Sequence, residues 1–402
     1  MFKQVVGALV ALGMIGFGSA ADRAAAAEKT LKIGAAVSLS GALSREGRLL
    51  VEGYELWQKK VNEAGGIKIG DDTYKIEIVS YDDESKAQTS AQLTEKLITS
   101  DDVSFIFGPY SSGIATATAV ISERYKVLTL APMATANSLY GRGYKYIFTQ
   151  TPLADRGLYP VLELASEMDP KPQSVAVVGP DDLFPNIVGD SAAKKAEEMG
   201  FKLVYTAKYP KASTDLASVA TQIKSAAPDV VLATGYVQDT LLLLKSMREL
   251  KVDPAIVGLA MSIGIQDFRD ALGPSANGIM GTDMWVSTLT YSDPVFTDSA
   301  TFAKEFEAEY GNAPTYHAAS GASAGVILQM ALEKAGSTDV DKVREALLSM
   351  EGETFYGRFK FEDDGTNSLG TAAVSQLIES DPKVIFPPAV AQEKALYPRS
   401  EM

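Results

Sequence analysis

The chain has 402 residues, a formal charge of −14, a single histidine and no cysteine. That length is more than one hydrophobic core usually serves, so two domains are expected. The absence of cysteine excludes a disulfide framework and thiol chemistry, and the acidic balance with no basic cluster speaks against nucleic-acid binding.

The first twenty residues, MFKQVVGALVALGMIGFGSA, place Lys3 before an apolar run that is short for a membrane span. Small residues follow in Ser19-Ala20-Ala21 and again in Ala24 to Ala27. This is the anatomy of a secretory signal peptide, taken here as residues 1–27. No cysteine follows the run to carry a lipid anchor, so the mature chain is expected to be free in a bacterial periplasm.

From residue 31, β-rich runs alternate with amphipathic helical stretches. LKIGAAVSL reads as a strand, and residues 48–62 as a helix with Leu50, Tyr54, Trp57 and Val61 on one face, which makes Trp57 a core residue. YKIEIVSY is the next strand. SKAQTSAQLTEKLI is a helix whose Ser85 and Gln88 have capping-box spacing. VSFIF and VLTLA flank a third helix.

A second alternation begins near residue 174: SVAVVG, KLVYTAKY, DVVLATG and AIVGLA as strands, with helices around 186–199, 215–226 and 238–250. Residues 298–350 are mainly helical, and GRFKFEDDG and TAAVSQLIE read as two strands joined by an Asp-Asp-Gly turn. Two sets of βαβ units predict an α/β chain of two doubly wound lobes, each with a parallel central sheet. Binding loops then lie at the carboxyl ends of the strands, and Gly108 to Ser112 should meet Gly235 to Gln238 across a cleft.

Enzyme chemistry is poorly supplied. His317 is the only histidine. The PYSSG stretch has a proline where a nucleophile elbow needs glycine, and no P-loop lysine follows it. The carboxylates of YDDES lack EF-hand spacing and read as a strand-to-helix turn. Neither a metal nor a cofactor is expected, and the chain is read as no enzyme.

The segments IGAAVSLSGALSREG, VNEAGGI, VSYDDES, FIFGPYSSG, LAPMATA, VAVVGPDDLF and PDVVLATGY, in that order and spacing, resemble the type I periplasmic solute-binding proteins of ABC importers. The likeness is to the branched family that binds leucine, isoleucine and valine, amides and related acids. It implies a monomer of two lobes joined by a three-strand hinge, closing on a small-molecule ligand and docking on a membrane permease. The crossovers would fall near 151–154, 284–287 and 356–359, giving one lobe of 28–152 plus 286–357 and another of 153–285 plus 358–402.

The same resemblance implies the site. Ser112, at a helix start, would hold the ligand carboxylate, an anion that a helix N-terminus accepts without a basic side chain. Met133 would offer its carbonyl, and Thr135 its N–H and hydroxyl. Tyr236 would close from the other lobe, Phe184 would supply an apolar wall, and Tyr110, Trp285 and Tyr316 would be further walls. Two departures bear on the ligand. Ala260 stands where amino-acid-binding members place a carboxylate for the ammonium, and Arg45-Glu46 replaces an aromatic near the side-chain pocket. Either Glu46 supplies the missing charge, or the ligand is an aromatic acid or amide without an α-ammonium; Arg45 would then pair with an extra acidic group. A secreted sensor signalling through a membrane receptor is the alternative function.

Overall fold

The computed structural model describes residues 29–370, 372–388 and 390–399; the expected signal peptide lies outside them. Its first sheet has six strands: β1 (Lys29–Val37), β2 (Ile67–Ile69), β3 (Asp72–Asp82), β4 (Phe105–Phe107), β5 (Leu128–Leu130) and β6 (Ile147–Phe148), in the order β2-β3-β1-β4-β5-β6. Every pairing is parallel except the β2–β3 hairpin at the edge. Helices α1 (Ser44–Glu63), α2 (Ala87–Thr99), α3 (Ser112–Tyr125) and the short α4 (Asn137–Tyr140) connect these strands.

The second sheet starts with β7 (Ser174–Pro180), β8 (Lys202–Tyr209), β9 (Val230–Ala233), β10 (Ile256–Leu259) and β11 (Met280–Asp283). Among them run α5 (Tyr159–Ser166), α6 (Leu183–Glu198), α7 (Ala217–Ala226), α8 (Val237–Glu249) and α9 (Gln266–Leu272). The chain then returns to the first sheet. It passes through a small hairpin, β12 (Ser292–Asp293) and β13 (Thr297–Asp298), and through helices α10 (Ser299–Tyr310), α11 (Tyr316–Ala335) and α12 (Val340–Leu348). A second hairpin, β14 (Glu351–Thr354) and β15 (Gly357–Lys360), precedes the last two strands, β16 (Ala373–Ile378) and β17 (Asp381–Phe386). These complete the second sheet in the order β17-β16-β11-β10-β9-β7-β8, its last two strands antiparallel. The two doubly wound sheets are therefore present, each with antiparallel strands added at an edge.

The core of the first sheet follows from the α1 stripe. Trp57 is fully buried and meets Phe107 edge-on with ring centres 5.7 Å apart, while Tyr54 stacks on the same ring at 4.5 Å. Helix α11 lies across α1 at backbone contact. A Cβ on Gly53 would fall 2.1 Å from the Ala318 carbonyl oxygen, and one on Gly325 would fall 2.2 Å from the Trp57 ring. Only glycine allows that approach.

Three local expectations are corrected. The capping box does not form: α2 begins after Lys86, and the Ser85 hydroxyl instead donates to the Ser40 carbonyl at 2.7 Å and accepts from Leu43 N–H. Tertiary bonding to the loop after β1 outcompetes the local cap. GRFK does not pair with the strand at 373–378 either. It pairs back with β14, whereas β16 pairs with β11 and β17. The Asp-Asp-Gly turn closes on itself, and Gly365 lies against β6, accepting from Thr149 N–H at 2.9 Å. Residues 358–367 thus stay with the first sheet, where Asn367 also donates to the Gln150 carbonyl at 2.7 Å. The third passage between the sheets accordingly follows residue 367, later than the expected 356–359.

Candidate functional site

Helix α3 starts directly after β4, and Ser111 makes the turn. Its φ of 74° is unusual for a residue other than glycine, and its hydroxyl caps the helix by accepting from Ile114 N–H at 3.3 Å. Ser111 is therefore the cap, and Ser112 is left for other work. The Ser112 hydroxyl oxygen accepts from the backbone N–H groups of both Thr135 and Ala136 at 3.0 Å. The expectation that Thr135 N–H is available for a ligand is corrected by this bond. With both lone pairs engaged, the Ser112 hydroxyl has its own proton left to donate.

The loop carrying Met133 and Thr135 is fixed from several directions. Thr151 donates to the Pro132 carbonyl at 2.7 Å, Tyr140 to Ala134 at 2.6 Å, and Ala154 N–H to the Thr135 carbonyl at 2.8 Å. The Thr135 hydroxyl, by contrast, is buried and has no hydrogen-bond partner among the described residues.

The second sheet faces this pair with Tyr236, which opens α8, and Phe184 in the first turn of α6. Their rings stack with centres 6.1 Å apart, and the Tyr236 hydroxyl reaches Asp182 at 3.4 Å. Tyr110 meets Tyr236 edge-on at 6.1 Å, so the two loops do meet as expected. Its hydroxyl touches Met261 Sδ at 3.2 Å. Tyr316, the first residue of α11, stacks on His317 at 4.0 Å, and its hydroxyl has no partner among the described residues.

Tyr110, Ser111, Ser112, Met133, Thr135, Phe184, Tyr236, Met261, Met284 and Tyr316 enclose one cavity of about 10 Å³, room for about one water molecule. The lobes are closed on each other. Met261 and Met284 were not anticipated; nothing in a lone methionine's sequence setting marks it as a wall, although its pliable thioether suits a surface that must adapt. Burial pushes the hydroxyls of Tyr110, Tyr236 and Tyr316 well above the ordinary phenol range and holds His317 neutral, down to about 3. The walls thus present neutral hydrogen-bond donors, with no free base among them.

Three expected residues stand elsewhere. Trp285 is buried in an aromatic cluster, edge-on to Phe302 at 5.5 Å and to Phe355 at 6.3 Å, with its indole N–H on Ser299. It does not line the cavity. Arg45 pairs with Asp267 at 2.6 Å, joining α1 to α9 across the mouth of the cleft. Glu46 is 2% exposed, and its carboxylate lies near the Val237 N–H at the start of α8 without a well-formed hydrogen bond. Burial raises its carboxyl to about 7, against the opposing pull of backbone N–H groups and Arg45. Ala260 is buried, as apolar as its sequence position implies.

Residues 30–380 match the model of a family described as periplasmic binding protein. The Leu/Ile/Val-binding protein homolog 7 of Brucella abortus is 29% identical over 399 residues, covering 94% of this chain and 96% of that one. Among solved structures, the branched-chain amino acid transporter substrate binding protein LivJ from Streptococcus pneumoniae, in complex with isoleucine, superposes with a TM-score of 0.78 at 22% identity, over 89% of this chain and all of the other. An ABC transporter solute binding protein from R. palustris in complex with benzoate gives 0.76 at 22% identity, over 91% and 99%. With two doubly wound lobes closed over a shared cavity, this chain belongs to the periplasmic binding protein family and has its type I fold.

Proposed function

We propose that this protein captures a small carboxylate-bearing ligand between its lobes in the periplasm and delivers it to the permease of an ABC importer, without catalysis. The observation that carries the reading is the shared cavity. Ser112 and Thr135 come from loops of the first sheet and Phe184 and Tyr236 from loops of the second, so one molecule touching both sets favours the closed state. The buried Thr135 hydroxyl without a partner, the Ser112 proton and the α3 N-terminus together make an uncharged grip for an anion. Isoleucine and benzoate, held by two of the structural relatives, are both carboxylates. The lobes are taken as 28–152 plus 286 to the third passage, and 153–285 plus the strands at 373–386.

A calorimetric titration with leucine and benzoate tests the site. Thr135→Ala and Tyr236→Ala should each weaken binding tenfold or more, about 1.4 kcal/mol. Unchanged affinity in both variants refutes it. Loss of ligand uptake in cells lacking the protein tests delivery to a permease.

A further inference from the structure

Tyr316 stands between two spaces. The same tyrosine that walls the small cavity also lines a chamber of about 600 Å³, bounded by Gly264, Arg269, Asp283, Trp285 and Thr315 and reaching the surface at Lys304 and Glu307. Asp283 ends β11, where the chain leaves the second sheet for the first. It is 2% exposed, and neither carboxylate oxygen has a hydrogen-bond partner among the described residues. A Cβ on Gly264 would stand 3.3 Å from Asp283 Oδ1, so glycine there keeps the chamber wall clear of the carboxylate.

The groups around Asp283 do not satisfy it. Arg269 is the cation whose charge acts on Asp283, but its two terminal nitrogens bond to the Ile263 carbonyl at 3.4 Å and to Gln266, its Nε is buried without a partner among the described residues, and it forms no ion pair with Asp283. Ser375 is near enough to favour the charged carboxylate without making a well-formed hydrogen bond. The hydroxyls of Tyr316 and Tyr356 feel the Asp283 charge yet lie outside bonding range. A buried carboxylate with empty acceptor positions is costly unless something donates to it.

We propose that Asp283, beside Tyr316, is a second polar subsite of the cleft, one that accepts N–H donors, so that the captured carboxylate carries an ammonium or amide nitrogen as its second recognition group. The subsite rests on the carboxylate-capture reading above. It differs from Glu46, whose carboxylate faces the α8 N-terminus and has no oxygen among the buried unpartnered atoms of the described residues. Burial holds the Asp283 carboxyl at about 6, with Ser375 and Arg269 pulling the other way, so at neutral pH it is mostly anionic. Affinity for an N–H donor should therefore fall as pH drops through that value.

The test is calorimetric titration at pH 7.5 of the full mature chain with three probes: benzoate, which has a carboxylate alone; L-leucine, which adds an ammonium; and succinamate, which adds a primary amide. Asp283→Asn keeps an acceptor oxygen and should weaken leucine tenfold or more while affecting succinamate less. Asp283→Leu should weaken both tenfold or more, and both variants should bind benzoate within twofold of native. If Asp283→Leu fails to fold, Asp283→Asn alone decides. Equal losses for all three probes, or none, overturn the subsite, as does a native protein that binds benzoate but neither nitrogen-bearing probe. That last outcome leaves the carboxylate grip standing. Failure of all three to bind the native chain overturns the grip and the subsite with it.

Discussion

Arg45 and Asp267 form an ion pair at 2.6 Å that joins α1 of the first lobe to α9 of the second at the mouth of the cleft. Both side chains are partly solvated, at 33% and 64% exposure, so water and salt screen the pair. Asp267→Ala should shift the balance toward open lobes by no more than about 1 kcal/mol, roughly fivefold in population. Small-angle scattering of the unliganded protein at low and high salt would show it. Native and variant curves should differ at low ionic strength and converge at high.

Glu46 makes the second cross-cleft contact, and its energetics run the opposite way. Its carboxyl is raised to about 7 by burial, above the value near 4.5 that an exposed glutamate has. Between those values the folded, closed protein holds a proton that the unfolded or open form has released. Stability is therefore lost as pH rises through that window, and the penalty is complete above about pH 7. Glu46→Gln removes it while keeping an acceptor for Val237 N–H. The variant should be more stable than native at pH 8 by up to about 3 kcal/mol and nearly equal at pH 4, as read by denaturant titration. A gain that is the same at both pH values would contradict the assignment.

Ser112 and Thr135 invite opposite expectations although both are buried hydroxyls beside the cavity. Ser112→Ala strips the partner from two backbone N–H groups, which should cost about 2–3 kcal/mol of stability as well as weakening carboxylate binding. Thr135→Val removes a hydroxyl that has no hydrogen-bond partner among the described residues. Its melting temperature should hold or rise, while affinity for the carboxylate probes falls tenfold or more. Paired thermal melts and titrations separate the two.

His317 is fully buried, bonded through Nδ1 to Thr315 at 3.2 Å, and held neutral down to about pH 3. An unfolded histidine takes a proton near 6.5, so acidification below that value favours the unfolded chain. From pH 7 to pH 4 this one residue withdraws about 3 kcal/mol. His317→Gln should flatten the decline by that amount in chemical denaturation.

Much of this arrangement was legible from local pattern. The α1 stripe placed Trp57 in the core and the strand-end loops brought Tyr110 and Tyr236 together, whereas Thr135 beside Ser112 followed from the family resemblance alone. What could not be read depends on pairings between distant segments. That Glu46 lies against Val237 is decided by the closure of one lobe on the other, and that Asp283 is left without a donor is decided by how α9 and β16 pack around the end of β11. The β14–β15 pairing escaped for a related reason: Glu351–Thr354 has no hydrophobic alternation to mark it, and its register is set by the hairpin it forms.

The glycine contact between α1 and α11 has a mechanical meaning. Helix α1 carries Arg45 and Glu46 at its leading end, and α11 carries Tyr316 at its own. With Gly53 and Gly321 letting the two backbones touch and Gly325 admitting the Trp57 ring, these helices are keyed together and travel as one jaw. The rim pair, the buried carboxyl and the aromatic wall then arrive at the opposite lobe in a single stroke, so partial engagement of one without the others is disfavoured. A side chain added at Gly53, remote from any ligand, would blunt all three at once.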